Sequence, residues 1–276
     1  MLVWRKLSSQ KWLDSWVERL AFLGPERLVV TQIAPSNRVR LEIFDISKVE
    51  SKLLLQQFAG EIRDLKRSTA DWVRSVVQRR PISIRNRLKI VNGEPDFSKP
   101  VDAKSIFIPA NLAFGTGEHA TTAGCLRLLA DISPKAGHWT LLDAGTGTGI
   151  LSIAASKFGA AKVIGFDFDP VAVRIAKKNA RINRARNVKF HRADVLRYES
   201  SELFDIVAAN LYSDLFRQAA KPLWRSLRTG GSMIVSGVMR EQLEAVVQVV
   251  NDLDGKIRIM RIRGKWAVLL ADKISG

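Results

Sequence analysis

The run Leu141-Leu142-Asp143-Ala144-Gly145-Thr146-Gly147-Thr148-Gly149-Ile150-Leu151 places three alternating glycines and an aspartate behind apolar residues. Such a run reads as a strand that turns tightly into a helix, with the missing side chains letting backbone approach a nucleoside-bearing ligand. A helix starting near Gly149 offers free N–H groups and a positive dipole end, suited to a carboxylate or phosphate. No Gly-Lys-Ser/Thr follows, which argues against a Walker loop. The third glycine comes one residue too early for the dinucleotide pattern G-x-G-x-x-G.

Six further positions bear on the chemistry. Asp167 ends the apolar run Lys162-Val163-Ile164-Gly165-Phe166, where a carboxylate can accept both hydroxyls of a ribose. Asp169 precedes Pro170 and reads as a helix N-cap with proline at the first helical position. Asp194 follows another strand-like run, Lys189 to Ala193, and faces an adenine edge or simply makes a turn. Asn210 closes Asp205-Ile206-Val207-Ala208-Ala209, and an amide there can accept from an amine through its carbonyl oxygen. Tyr212 stands two residues on, either shaping an acceptor pocket or packing. His119 is a candidate base or a structural loop histidine.

These residues need a scaffold that brings strand ends together. From Thr140 the pattern is regular: strands at 140–144, 162–167, 187–191, 204–209 and 232–236, helices at 149–157, 170–183, 212–227 and 240–252. Alternation of this kind implies an α/β, doubly wound, mostly parallel sheet, with ligands beyond the strands' carboxyl ends. Lys256–Arg263, a Gly264-Lys265 turn and Trp266–Asp272 read as a hairpin that reverses the last strand and leaves an antiparallel edge. Thr121–Asp131 reads as a helix.

The first part differs in rhythm. Strands are expected at Val3–Lys6, Leu28–Ile33, Arg38–Phe44 and Glu61–Leu65. Helices are expected at Ser9–Phe22, capped by Ser9, and at Ile46–Phe58. The order βαββαβ suggests a small N-terminal α+β, ferredoxin-like domain over 1–68. A basic, proline-broken connector over 69–110 and a ligand-binding domain over 111–276 follow.

The 276 residues carry 44 basic and 27 acidic side chains, a net charge of +17, which draws polyanions such as nucleic acid. No acid occurs from Trp72 to Gly93 or from Val171 to Ala193. The second run reads as a solvated helix face or as a phosphate-contact surface. One cysteine, Cys125, excludes an internal disulfide, and three scattered histidines speak against a metal site. No apolar run reaches the ~18 residues of a membrane span, and Met1–Gln10 lacks the apolar core of a signal peptide. A cytoplasmic protein without membrane attachment is expected.

The set resembles the class I S-adenosylmethionine-dependent methyltransferases, and within them the ribosomal protein L11 methyltransferase family. Leu112-Ala113-Phe114-Gly115-Thr116-Gly117-Glu118-His119-Ala120-Thr121-Thr122 is similar to that family's F-G-T-G-x-H-x-T-T segment. Asp143 to Gly149 fits its D-x-G-x-G-x-G, Gly165 to Pro170 its G-x-D-x-D-P, and Ala208-Ala209-Asn210 its strand-end A-N. The resemblance implies a loop over S-adenosylmethionine and adds Phe114 and Thr122 to a cofactor set of Asp143, Gly145, Thr146, Gly147, Gly149, Asp167, Asp194 and Asn210. Asn210 and Tyr212 are then expected beside the reacting amine. The implied partner is a large-subunit ribosomal protein, with the ribosome or its RNA as a further partner, and the N-terminal domain docks the target. Where the family has Asp-Pro-Gly this chain has Ile108-Pro109-Ala110-Asn111. Where the family has Ile-Leu-Ala it has Leu211-Tyr212-Ser213. Both departures border the acceptor side. An RNA methyltransferase and a non-catalytic RNA- or ribosome-binding protein are the competing readings.

Overall fold

In the computed structural model the described residues are 2–20, 23, 27–33, 36–64, 81–98, 100, 102–109, 117, 119–135 and 138–274. The chain divides into two compact units, Met1–Ser75 and Val76–Gly276.

The first unit runs β1 (Leu2–Ser9), α1 (Leu13–Leu20), β2 (Leu28–Ile33), β3 (Arg38–Phe44), α2 (Lys48–Phe58) and β4 (Glu61–Asp64). Its strands form an antiparallel sheet in the order β2-β3-β1-β4. In β3 the inward Val39, Leu41 and Ile43 are buried, which is the period-two pattern of a half-covered sheet. They meet Trp4, Leu20 and Leu54 in one core. Ser47 caps α2 in a reciprocal arrangement with Glu50. Ser9 does not cap α1. It ends β1 and leads into a 3₁₀ turn without any side-chain cap bond, and α1 begins only at Leu13.

The span read as a connector carries β5 (Ile82–Ile84), β6 (Leu88–Asn92) and β7 (Ser105–Ile108), a three-stranded sheet within the second unit. Ile84, Leu88, Ile90, Ile106 and Ile108 enter the same core cluster as the following helices. Short strands interrupted by prolines leave too little periodicity to be seen in sequence. The part of that span at 69–80 lies outside the described residues.

The rest of the second unit comprises α3 (Ala120–Ile132), β8 (Thr140–Ala144), α4 (Ile150–Lys157), β9 (Lys162–Asp167), α5 (Pro170–Ile182), β10 (Val188–Arg192), β11 (Phe204–Asn210), α6 (Ser213–Arg225), β12 (Leu227–Met239), α7 (Leu243–Asp252), β13 (Gly255–Arg263) and β14 (Trp266–Lys273). Seven strands form a sheet in the order β10-β9-β8-β11-β12-β14-β13. Five are parallel, and β14 runs antiparallel to both its neighbours. The reversed strand is therefore not the edge: β14 inserts between β12 and β13, and β13 takes the edge. Leu269 and Leu270 of β14 are both buried, on opposite faces, so covering that strand removes more apolar surface from water than leaving it outside. Leu141, Ala208, Ile234 and Leu270 face one core with α3, α4 and α5, and Leu142, Val207, Val235 and Leu269 face the other with α6 and α7. Burial on both faces explains why these strands read as continuous apolar runs.

Ladder irregularities interrupt β12. Phe204 pairs with Leu227 and Ile206 with Ser232, so residues 228–231 bulge out. A second irregularity against β14 falls between Ser236 and Val238, at Gly237.

Candidate functional site

The order β10-β9-β8-β11 sets four carboxyl ends in a row, which brings Asp194, Asp167, the glycine loop and Asn210 to one rim of the sheet. Arg192 lies opposite Asp167, and Ala209 lies opposite Ala144, so Asn210 stands one step further, level with the loop.

The loop is anchored on Phe166, whose carbonyl accepts from Gly145 N–H at 3.0 Å and Thr146 N–H at 2.9 Å. Gly147 N–H donates to Asp167 Oδ2 at 2.9 Å. Asp169 N–H donates to Asp167 Oδ1 at 3.0 Å. Asp167 is thus half-buried and oriented, with lone pairs left on both oxygens. Gly145 and Gly147 stay partly exposed, whereas Thr146, Thr148 and Gly149 are buried, so loop backbone is presented at those two glycines.

Three of the expected ligand contacts, Asp143, Thr146 and Gly149, are buried. Asp143 is buried, and its Oδ2 accepts from Thr146 Oγ1 and Ser152 Oγ, each at 2.6 Å, and from Ser152 N–H at 3.2 Å. Burial pushes its carboxyl above the usual range, while these donors pull the other way. A buried carboxylate needs such partners, so Asp143 and Thr146 shape the loop from inside, together with Ser152, which the sequence reading missed. Gly149 is the buried N-cap residue of α4 and serves packing.

Asp169 caps α5, accepting from Val171 N–H at 2.7 Å with Pro170 beside it, as the sequence implied. Asp194 caps a 3₁₀ turn at Val195–Arg197, with Leu196 N–H on Oδ1 at 3.0 Å. Its place on the rim leaves the adenine-edge role compatible with the cap. Phe168, directly after Asp167, is 64% exposed, an unusual state for that ring. The Arg192 guanidinium lies 5.3 Å from its centroid and donates to its carbonyl at 3.0 Å.

Asn210 Nδ2 donates to Thr122 Oγ1 at 3.4 Å. Asn210 Oδ1 is buried and finds no hydrogen-bond partner among the described residues. An orphaned buried acceptor carries a desolvation cost of about 1–3 kcal/mol unless a ligand donates to it. Thr122 is buried in the first turn of α3, and that turn is tied to β12 by a Ser236 hydroxyl bond to Thr121 O at 3.5 Å. His119 is a structural residue: it caps α3, its Nδ1 lies 2.7 Å from Thr121 Oγ1, and its ring meets Trp266 edge-on at 5.1 Å. Burial, with the nearby Lys265, keeps its pKa below the ordinary histidine range. Cys125 is buried, and burial drives its thiol up to about 12, so it is not a nucleophile. Phe114 lies outside the described residues.

Leu211 locks this corner. A Cβ at Gly145 (φ 71°) would sit 2.5 Å from Leu211 Cδ2. A Cβ at Gly237 (φ 82°) would sit 2.3 Å from Leu211 O. Leu211 N–H also donates to Ser236 O at 3.0 Å. The side chain and backbone of Leu211 are therefore held between the glycine loop and the β12 bulge, which fixes Asn210 on one side and Tyr212 on the other. Tyr212 is 75% exposed, so packing is not its role. Gly237→Ala is expected to destabilise the second unit by about 2–4 kcal/mol, from left-handed strain plus overpacking. Its melting temperature should fall by roughly 5–10 °C. Unchanged melting in calorimetry would mean that Leu211 is not held in this way.

Comparison with known proteins is consistent with this geometry. Residues 24–273 match the family profile described as ribosomal protein L11 methyltransferase (PrmA). A ribosomal protein L11 methyltransferase of Caulobacter sp. is 34% identical over 242 residues, covering 85% of this chain and 83% of the relative. One from Streptococcus equi subsp. zooepidemicus is 32% identical over 242 residues, covering 86% and 73%. The crystal structure of a ribosomal protein L11 methylase from Lactobacillus delbrueckii subsp. bulgaricus superposes with a TM-score of 0.63 at 27% identity, covering 71% of this chain and 99% of that one.

Proposed function

Since this chain belongs to the ribosomal protein L11 methyltransferase family, and is thereby an S-adenosylmethionine-dependent methyltransferase, we propose that it methylates amino nitrogens of a large-subunit ribosomal protein, the counterpart of the L11 for which its relatives are named. The observation that carries this reading is the orphaned carbonyl oxygen of Asn210 at the rim of the glycine loop.

The cofactor supplies an electrophilic methyl group on sulfur when bound. Asp167 accepts the ribose hydroxyls on its free lone pairs, and Gly145 and Gly147 present backbone to the ligand. Asp194 lies on the adenine side, and the exposed Phe168 ring gives the base a face to pack on. Thr122 steadies the Asn210 amide, and Phe114, outside the described residues, is retained as a further cofactor contact on the resemblance alone. Asn210 Oδ1 accepts an N–H of the incoming amine. Removal from water favours the neutral nitrogen, and the bond to Asn210 Oδ1 aims its lone pair at the methyl. Tyr212 borders the acceptor from the exposed side. No strong general base among the described residues faces this point: the amine gives up its proton to water before it is enclosed, its lone pair forms the N–C bond as the S–C bond breaks, and the methylated ammonium that results sheds its extra proton on release.

The first unit docks the target, and it carries the exposed side chains Leu7, Trp12 and Val30. We place the protein in the cytoplasm, where such a target is made. Among the described residues no helix is long and apolar enough to cross a membrane.

Methyl-tritiated S-adenosylmethionine incubated with the protein and either free large-subunit ribosomal proteins or intact ribosomes tests the reading. Label is expected in protein, removed by protease and resistant to nuclease. Label removed by nuclease would establish an RNA methyltransferase instead, and cofactor binding without any transfer would establish a non-catalytic binder.

A further inference from the structure

The acid-free run from Val171 to Ala193 folds into α5 and the edge strand β10, and between them lies a concave groove of about 750 Å³. Lys177, Arg181, Arg184, Arg186, Lys189 and His191 line it. Arg174, Lys177 and Arg181 recur at intervals of three and four, which puts them on one stripe of α5, and Arg184 follows just past its C-terminus. That stripe extends about 10 Å at ~1.5 Å per residue, long enough to meet more than one phosphate of a strand.

These charges are not neutralised internally. Among the described residues, Lys177, Arg181, Arg186 and Lys189 have neither an ion pair nor a hydrogen-bond partner, and the Arg184 guanidinium rests on the Phe97 ring at 5.3 Å. The opposite sheet edge is basic too, but there Arg258 pairs with Asp272 and Arg261 with Asp131. Uncompensated cations in a concavity focus a positive field and select a polyanion. The planar guanidinium fork fits phosphate oxygens in particular. A bilayer would need protruding apolar side chains beside the charges. The apolar lining here is Ala180, Ala185, Val188 and the buried Phe190, which cannot insert, and the exposed ring beside it, Phe97, is engaged by the Arg184 guanidinium.

We propose that the α5–β10 groove is an RNA-binding site that takes a single strand by its phosphates. The groove reaches His191, one residue before Arg192, which pairs in register with Asp167. A strand lying in it therefore ends at the cofactor side of the rim. An enzyme so built is held on ribosomal RNA, or on a protein–RNA assembly, without reading sequence, while its methyl-acceptor side stays free. The inference concerns binding alone and stands independently of which group is methylated.

Fluorescence anisotropy of a fluorescein-labelled 20-nucleotide oligouridylate with the full chain tests it, at salt concentrations from 50 to 200 mM. The pair Arg181→Gln with Lys189→Gln is expected to weaken binding roughly tenfold and to lower the salt slope by about 1–2. The pair Lys256→Gln with Arg263→Gln removes the same charge from the β13 edge and is expected to change affinity less than twofold. Unchanged melting and S-adenosylhomocysteine affinity establish that both pairs are folded. Equal losses in the two pairs would assign binding to the diffuse +17 field, and no loss in the groove pair would remove the site. Groove-dependent capture of phosphatidylglycerol vesicles without RNA binding would also overturn the proposal, in favour of a lipid surface.

Discussion

Asp167→Ala is expected to weaken S-adenosylhomocysteine binding by about 1.5–3 kcal/mol, roughly 10- to 150-fold, in isothermal titration calorimetry. The carboxylate already accepts from Asp169 N–H and Gly147 N–H, one on each oxygen. A carboxylate has about four lone-pair sites, so two remain for two hydroxyls on one ribose edge. Alanine removes those charge-assisted bonds and also releases Gly147, so the loop keeps only its two bonds to the Phe166 carbonyl of β9. Asp167→Asn keeps one acceptor oxygen and is expected to fall between the two. Asp169→Ala is the matched control: it removes the α5 cap, costs about 1 kcal/mol of stability, and should leave affinity near that of the wild type. A folded Asp167→Ala protein with wild-type affinity would refute the ribose assignment.

Asn210→Ala is expected to lower methyl transfer by roughly 10²-fold or more, while S-adenosylhomocysteine affinity changes far less. The magnitude follows from what small misplacements of reacting groups cost. Asn210 Oδ1 is the buried acceptor without a partner, and Nδ2 is held by Thr122 Oγ1, so the amide is aimed before any amine arrives. Thr122→Val removes that restraint and keeps the side chain's shape. It should lower kcat about tenfold, through Asn210 rather than through the ligand. A loss confined to cofactor affinity, or turnover undiminished in Asn210→Ala, would place the acceptor contact elsewhere.

Both variants act on residues that were visible in sequence, and the reason is local. Asp167 and Asn210 each end an apolar run, and a strand end is set by its own pattern. Asp169 before Pro170 announces a cap because the capping bond spans two residues. The hairpin at Gly264-Lys265 is legible for the same reason, and so is the alternation of strands and helices from Thr140 onward. The resemblance at Phe114–Thr122 implied a loop over the cofactor where spacing alone reads a turn before a helix.

Other features depended on packing and exposure that residue spacing does not show. Asp143 looks like a ligand residue beside the glycines until Ser152 and Thr146 are seen on its oxygen. Tyr212 was balanced between pocket and packing, and its exposure decides against packing. The strands of Ile82–Ile108 were hidden because three short, proline-flanked strands carry too few residues to show a period.

By itself the sequence determined the parallel α/β scaffold, the glycine loop, the acid at Asp167, the amide at Asn210 and the excess of positive charge. These follow from short-range rules of periodicity, capping and composition. The tertiary structure alone decided that β14 enters the sheet between β12 and β13, that Leu211 is clasped by Gly145 and Gly237, and that the cations of α5 and β10 line one groove. Those outcomes rest on steric fit and burial between separate elements, and no local pattern encodes which surfaces will meet.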